Sequence, residues 1–132
     1  MKNITLIALT SSLIFTQCGI KKQDEVVGLY VSRNNLNTID TVWVHEDGSY
    51  INVMYRKNDN SLIYKNTGKW EAANNYITFH NFFADEDEIH SKEVTNYEDV
   101  LMTSKLQLER KAGKIIIHHK DMHDDVYLEK VE

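Results

Sequence analysis

The feature that most constrains the fold is the absence of proline, combined with short runs of β-branched and aromatic residues. Glycine, asparagine and aspartate separate these runs, as expected for strands joined by hairpin turns. Asp47-Gly48 is the clearest turn signal, because this pair favours a tight hairpin. No run has the convincing 3.6-residue spacing of an amphipathic helix. The chain therefore predicts an all-β domain.

We predict about eight or nine short strands with hairpin-length connections. The first three run from Val26 to Arg33, from Ile39 to Glu46 and from Ser49 to Lys57. The others are expected at 61–65, 69–72, 76–83, 100–110, 114–120 and 126–131. Neighbouring strands usually pair, so an antiparallel meander is expected. Such a meander forms a barrel, a half-barrel or a sandwich.

The N-terminal segment has a different pattern. Met1-Lys2-Asn3 is a weakly basic start, Ile4 to Phe15 is an apolar run, and Thr16-Gln17-Cys18 follows. This order is typical of a secretory signal peptide and its cleavage site. The apolar run is shorter than the roughly 20 residues that a spanning helix needs. The segment therefore predicts export, with a cleaved signal or an uncleaved anchor as the two outcomes.

A cysteine at the cleavage junction resembles the signal of bacterial lipoproteins. The resemblance implies that residues 1–17 are removed and that Cys18, the only cysteine in the chain, carries lipid such as palmitate. Residues 18–25 are then a lipidated cysteine with a flexible tether, and residues 26–132 form the β domain. The alternative is an ordinary signal followed by an incidental cysteine.

Two features of the tether bear on location. In the lipoprotein family an aspartate after the cysteine favours inner-membrane retention, and here Gly19 takes that place. Lys21 to Glu25 is similar to the charged export tag of Bacteroidota-type lipoproteins, and a solvated spacer has the same composition. The resemblance implies an outer-membrane lipoprotein of the cell envelope that faces the periplasm or the surface.

The β domain has a resemblance of its own. Gly28-Leu29-Tyr30, Asp47-Gly48 and Gly68-Lys69-Trp70 resemble the first half of the meander in small lipocalin-like bacterial lipoproteins. The resemblance covers roughly residues 28–83. It implies a lipocalin-like barrel or half-barrel, and it carries little about function because one fold hosts many functions.

Composition and motifs exclude several functions. Lysine and arginine number 15 against 20 aspartates and glutamates, so phosphate backbones should repel the domain and we predict no nucleic-acid partner. Acylation of Cys18 leaves no thiol nucleophile, and no Gly-x-Ser-x-Gly elbow is present. We therefore predict no enzymatic activity and no cofactor.

The segment His118 to Asp125 is the richest cluster of possible metal ligands. If the strand continues, His119, Asp121 and His123 share one face because side chains alternate along a strand. Imidazoles with a carboxylate suit zinc or copper. The alternative is an exposed strand end that leads into a turn at Asp124-Asp125.

The longest predicted connection, Ala84 to Asp99, contains four consecutive acids: Asp85, Glu86, Asp87 and Glu88. Such a run would attract a cationic partner surface and accelerate association. It lacks the ligand spacing of an EF-hand calcium loop. The alternative is a solvated loop that binds nothing.

Aromatic residues on the predicted strands could line a ligand cavity or form plain core, namely Tyr30, Trp43, Tyr50, Tyr55, Tyr64, Trp70, Tyr76, Phe79 and Phe82. His45 and His80 are acid–base candidates or structural residues. The functional prediction is a membrane-anchored, non-enzymatic envelope lipoprotein whose β domain binds a small ligand or a partner protein. The alternatives are a metal-binding or metal-sensing lipoprotein that uses His118 to Asp125, and a hydrolase with an unrecognised site.

Overall fold

The computed structural model describes residues 23–83, 101–119 and 126–132, which form a closed barrel of eight antiparallel strands in meander order. A short helix, α1 (Gln23–Val26), precedes the barrel. The strands are β1 (Gly28–Arg33), β2 (Thr38–Val44), β3 (Ser49–Arg56), β4 (Leu62–Ala73), β5 (Tyr76–Phe82), β6 (Met102–Lys111), β7 (Lys114–His118) and β8 (Tyr127–Lys130). The predicted all-β, lipocalin-like meander is confirmed, and it is a full barrel.

The barrel closes where β8 pairs with β1. Tyr30 lies opposite Lys130, and Arg33 lies opposite Tyr127. Two further backbone hydrogen bonds extend this seam, from Leu29 N–H to the Glu132 carbonyl at 3.1 Å and from Val131 N–H to the Leu29 carbonyl at 2.8 Å. Each described strand therefore has a partner on both sides, which removes the unpaired edges that promote aggregation.

The barrel has two different ends. One end, which we call the base, carries α1 and the tight hairpins after β2, β4 and β6. The other, the upper end, carries the connections after β1, β3, β5 and β7. Tyr30 secures α1 to the base, because its hydroxyl donates a hydrogen bond of 2.7 Å to the Val26 carbonyl. Burial raises the pKa of the Tyr30 hydroxyl, so that it stays a neutral donor.

Alternation along each strand decides which side chains enter the barrel. On β2, Thr38, Asp40, Val42 and Val44 are buried, while the residues between them are partly or fully exposed. This is the two-residue period expected of a sheet with one buried face. The main core that results contains Val26, Tyr30, Val42, Val44, Tyr50, Trp70, Ile77, Phe79, Phe82, Leu106, Leu108, Ile115, Ile117 and Leu128.

Two strand predictions are wrong in their bounds. The predicted pair of strands at 61–65 and 69–72 is one continuous strand, β4, which runs through Asn66-Thr67-Gly68 without a turn. Gly68 is needed there because the Tyr50 ring packs over it, and a Cβ at this position would lie 2.6 Å from Tyr50 Cε1. The first strand begins at Gly28, since α1 occupies Gln23–Val26, including the last three residues of the predicted tether.

Candidate functional site

Several residues of the predicted sites lie outside the described residues. These are the lipidation residue Cys18, the acidic run Asp85, Glu86, Asp87 and Glu88, and two of the predicted metal ligands, Asp121 and His123. The nearest described residues on either side of that run are Phe83 and Leu101. Phe83 is buried against Met54 and Tyr64, and Leu101 packs against the same upper cluster. The connection with the acidic run therefore leaves and rejoins the barrel at its upper end.

The histidines at the end of β7 are buried. The two atoms His118 Nε2 and Glu109 Oε2 are 2.8 Å apart, so that histidine has a carboxylate partner from the neighbouring strand. His119 follows directly and is only 5 % exposed. Across residues 23–83, 101–119 and 126–132, no three His, Cys, Asp or Glu side chains are grouped as a metal site requires. The metal site of His119, Asp121 and His123 stays a prediction.

The aromatic residues divide between core and surface. Of the nine named from the sequence, six are buried, and three of these pack ring to ring in the barrel: Tyr50 lies 4.9 Å from Phe79 and 5.8 Å from Phe82, and the two Phe rings are 4.6 Å apart. The exposed ones are Trp43, Tyr55 and Tyr76. Side chains thus fill the barrel interior around Tyr50, Phe79 and Phe82.

A polar layer lies inside the barrel, above the main core. Asn52 Nδ2 donates hydrogen bonds to Asp40 Oδ1 at 2.5 Å and to the Thr41 carbonyl at 3.3 Å. The Asp40 backbone N–H donates to Ser32 Oγ at 2.8 Å. Asn52 Oδ1 is buried without a hydrogen-bond partner in the described part of the chain. The polar layer is therefore suited to accept one more hydrogen bond, from a water or a similar small donor.

The predicted acid–base candidates have structural contacts. His45 stacks on Trp43, and its backbone carbonyl accepts a hydrogen bond of 2.8 Å from Trp70 Nε1. His80 lies on the outer surface, 3.3 Å from Thr103 Oγ1 and 3.8 Å from Glu71 Oε1. An imidazole between a hydroxyl and a carboxylate has the order of a catalytic triad. Here the three groups are solvent-exposed on one face of the sheet, and none of them lines the pocket described next.

The base of the barrel carries an open pocket of about 600 Å³, which we call the basal pocket. Its lining comes from α1, from the β6–β7 hairpin and from the end of β8, and consists of Glu25, Arg110, Gly113, Lys114, Ile115, Lys130, Val131 and Glu132. Small-molecule sites in proteins span roughly 300–1,000 Å³. The basal pocket is therefore large enough for a small ligand.

Three cationic side chains line the basal pocket. Arg110 forms an ion pair with Glu25, Lys130 Nζ donates a hydrogen bond of 2.9 Å to the Glu25 carbonyl, and Lys114 Nζ donates to Glu129 Oε1 at 2.8 Å. Lys130 forms no ion pair with a described carboxylate. Burial lowers the pKa of the Lys130 amino group, and the charge of Arg110 lowers it further, while Glu25 acts in the opposite direction.

This arrangement can bind an anion. The Lys130 ammonium is partly desolvated and lies near Arg110, so a carboxylate or phosphate between the two cations would relieve their repulsion. Glu25 and Glu132, which also line the pocket, oppose an anion. Ile115 and Val131 provide an apolar wall for the rest of such a ligand. No sequence motif predicts this site, because its residues come from three segments that are brought together only when the barrel closes.

Comparisons of the chain with known protein families, with characterised proteins and with solved structures find no match. Within the described ranges, no helix has the length and apolar character needed to cross a membrane.

Proposed function

We propose that the protein is a membrane-anchored, non-enzymatic envelope lipoprotein whose β domain binds a small anionic ligand in the basal pocket. The observation that carries the proposal is the convergence of Arg110, Lys114 and Lys130 on a pocket of about 600 Å³. Lys130 is central, since its ammonium has a carbonyl as its hydrogen-bond partner where the other two cations have carboxylates.

The proposed lipid anchor lies close to the basal pocket along the chain. Gln23, where α1 begins, is five residues after Cys18, so covalent geometry keeps the two Cα atoms within about 18 Å. α1 contributes Glu25 to the basal pocket, and the pocket would therefore lie close to the membrane that holds the lipid. A ligand with a phosphate or carboxylate group would be bound near that surface.

Ligand binding is tested with the full chain in detergent and with inorganic phosphate and acetate as probes. We expect saturable binding of at least one probe, measured by titration calorimetry or by NMR shifts of residues in the basal pocket. Lys130→Gln keeps most of the side-chain stem but removes the charge, and should weaken binding about tenfold or more. Lys65→Gln, on the exposed outer surface of β4, is the matched control and should bind as the unmodified chain does.

Two results would contradict the proposed ligand. One is the absence of saturable binding of either probe. The other is equal affinity of the Lys130→Gln and Lys65→Gln variants, because the probe would then be held by general surface charge.

The anchor is tested separately. Mass spectrometry of the protein from the membrane fraction should find a chain that begins at Cys18 and carries diacylglycerol. Cys18→Ala should leave the chain unprocessed or move it to the soluble fraction. An unmodified Cys18 within the mature protein would refute lipid attachment and leave the ligand proposal intact.

A further inference from the structure

The outer surface of the first three strands is largely apolar, with Arg33 as a charged outward residue at the upper end of β1. Nine outward side chains lie in three cross-strand rows, which continue to the first residue of β4. The rows are Leu29, Trp43 and Ile51 at the base, then Val31, Thr41 and Val53, then Ile39, Tyr55 and Leu62 at the upper end. We call these nine residues the outer apolar face. All of them are at least partly exposed, and Trp43 is 52 % and Leu62 56 % exposed.

The outer apolar face differs from the rest of the barrel surface. Its nine residues carry no charge, although the ion pair of Arg33 and Glu129 borders it, whereas the outward positions of β4 and β6 include Lys65, Lys69, Glu71, Lys105 and Glu109. In a chain with 15 basic and 20 acidic residues, nine neighbouring outward positions without a charged side chain are unusual. A contiguous apolar patch of a few hundred Å² is common on monomeric proteins and often serves as a contact with a protein or a membrane.

The size of the face favours a lipid surface as its occupant. Three strands about 4.8 Å apart, with an outward residue about every 6.8 Å, give a footprint of roughly 300 Å². A stable protein interface buries about 800 Å² on each partner. A second copy of the chain would have to bury surface well beyond these nine residues, whereas shallow insertion into a bilayer requires only a few apolar side chains at the boundary between headgroups and acyl chains.

The aromatic residues and the anchor point to the same occupant. Trp43 and Tyr55 lie at opposite ends of the face, and such amphipathic rings are enriched where a protein meets the membrane–water interface. The row with Leu29, Trp43 and Ile51 lies at the base, the end where α1 begins five residues after Cys18. A lipid on Cys18 would therefore hold this row next to the bilayer.

We infer that the outer apolar face lies on the lipid surface of the membrane that holds Cys18, with Trp43 at the boundary between headgroups and acyl chains. This inference rests on the proposed lipid anchor and goes beyond it: the barrel lies on the bilayer in a fixed orientation. The orientation leaves the opposite outer surface, on β5 and β6, exposed to water.

The test uses the full chain reconstituted with phosphatidylcholine vesicles, whose flotation on a density gradient reports membrane attachment. Vesicles with brominated acyl chains then report contact, since bromine quenches tryptophan emission at short range. We expect a loss of emission in brominated vesicles relative to unbrominated ones. Trp43→Phe should remove that loss, because the remaining Trp70 is buried in the barrel and only 4 % exposed.

A matched pair of variants separates docking of the face from simple nearness to the tether. Thr41→Asp places a carboxylate at the centre of the outer apolar face and should reduce quenching of Trp43. Thr78→Asp makes the same change at an outward position of β5 and should leave quenching unchanged.

Three other outcomes would contradict the docking. Failure of the chain to float overturns both the anchor and the docking. Flotation without quenching of Trp43, or with quenching that Thr41→Asp does not change, overturns the docking alone. Unquenched Trp43 together with a dimer that Thr41→Asp converts to a monomer would assign the face to a second copy and also overturn the lipid proposal.

Discussion

The lower and upper halves of the barrel bury different side chains from the same strands. Towards the base, β2 buries Val42 and Val44, whereas towards the upper end it buries Thr38 and Asp40. β3 changes from Tyr50 below to Asn52 above, and beyond Asn52 it buries Met54, which belongs to the smaller apolar cluster of the upper end. The alternation of inward and outward residues continues unchanged through both halves. The same backbone pattern can therefore enclose a dry core at one end and a polar layer at the other.

The two halves should contribute differently to stability. Complete burial of a large apolar side chain contributes about 1.5–3 kcal/mol, and the lower half contains most of the main core. A buried polar group contributes little net free energy even when it is hydrogen-bonded, and it costs about 1–3 kcal/mol when its partner is lost. The main core of the lower half thus stabilises the fold most, a smaller apolar cluster of Met54, Tyr64 and Phe83 adds to it in the upper half, and the polar layer imposes a specific arrangement of hydrogen bonds.

Removal of a large side chain from the lower half should have the largest effect. We expect Trp70→Ala to lower the free energy of unfolding by about 3–5 kcal/mol, because Trp70 is buried and its Nε1 donates to the His45 carbonyl. Denaturant unfolding followed by circular dichroism measures the loss. Trp43→Ala makes the same chemical change on the outer surface and should cost less than about 1 kcal/mol. Equal losses for the two variants would contradict the division into core and surface.

The boundary between the halves is marked by Gly68, which lies opposite Tyr50. A Cβ at this position would lie 2.3 Å from the His80 carbonyl oxygen, so Gly68→Ala should destabilise by about 2–3 kcal/mol through forced movement of the backbone. Gly113→Ala is the control, since a Cβ there meets nothing within 4 Å and only the positive φ of 80° opposes it. That control should cost about 1 kcal/mol. Similar losses of stability for the two variants would show that the surroundings of Gly68 can accommodate a Cβ.

In the polar layer, removal of one hydrogen-bonding side chain should lower the free energy of unfolding more than removal of both side chains of the pair. Asn52→Ala removes the 2.5 Å hydrogen bond to Asp40 Oδ1 inside the buried polar layer and should cost about 2 kcal/mol. Replacement of both residues by valine should recover most of that loss, since neither position then buries a polar side chain. Unfolding of the two variants side by side measures the difference. A double variant that is less stable than Asn52→Ala would mean that the layer stabilises the barrel directly.

The smallest effect on stability is expected from Glu129, which lies on the outer surface and belongs to neither half of the barrel interior. The hydrogen bond from Lys114 lowers the pKa of Glu129, and Arg33 lowers it further. Because the pKa in the folded chain lies below the ordinary value, Glu129 stabilises the fold above that ordinary value. This stability is lost as the pH falls through the folded pKa. Glu129→Gln should therefore flatten the acid side of the stability curve, measured by unfolding between about pH 6 and about pH 3. An unchanged curve would assign acid sensitivity to other carboxylates.

Local signals predicted the barrel well. Asp47-Gly48 forms the expected tight turn, where the Ser49 N–H donates to Asp47 Oδ1 at 2.9 Å and Gly48 has φ of 80°. The bounds of β2 and β3 are within two residues of the predictions. Such turns are determined by residues that are neighbours in sequence, so their chemistry can be read directly from it.

Predictions that depended on distant contacts were less successful. The break predicted at Asn66-Thr67-Gly68 is absent, because Gly68 makes room for Tyr50, whose hydroxyl reaches the carbonyls of His80 and Asn81 at 2.9 and 2.7 Å. Similarly, α1 is only four residues long and depends on the burial of Val26 in the barrel base. Neither contact can be inferred from the residues next to it.

Sequence alternation also could not assign the inner and outer faces of β2. Val42 and Val44 alternate with Ile39 and Trp43, and both sets are apolar, so either could have formed the core. The barrel buries the two valines and leaves Trp43 on the surface. The basal pocket was missed for a related reason: Glu25 meets Arg110 and Lys130 across separations of 85 and 105 residues.

The seam between β1 and β8 has a consequence for how the chain folds. Tyr30 and Lys130 are paired although they are 100 residues apart, whereas every other pairing joins consecutive strands. Local hairpins can form early, but closure of so long a loop carries the largest entropic cost and requires nearly the whole chain. Until that step, both β1 and β8 present an open edge on which another chain could add a strand. The interval before closure is therefore the period of greatest exposure to misassembly.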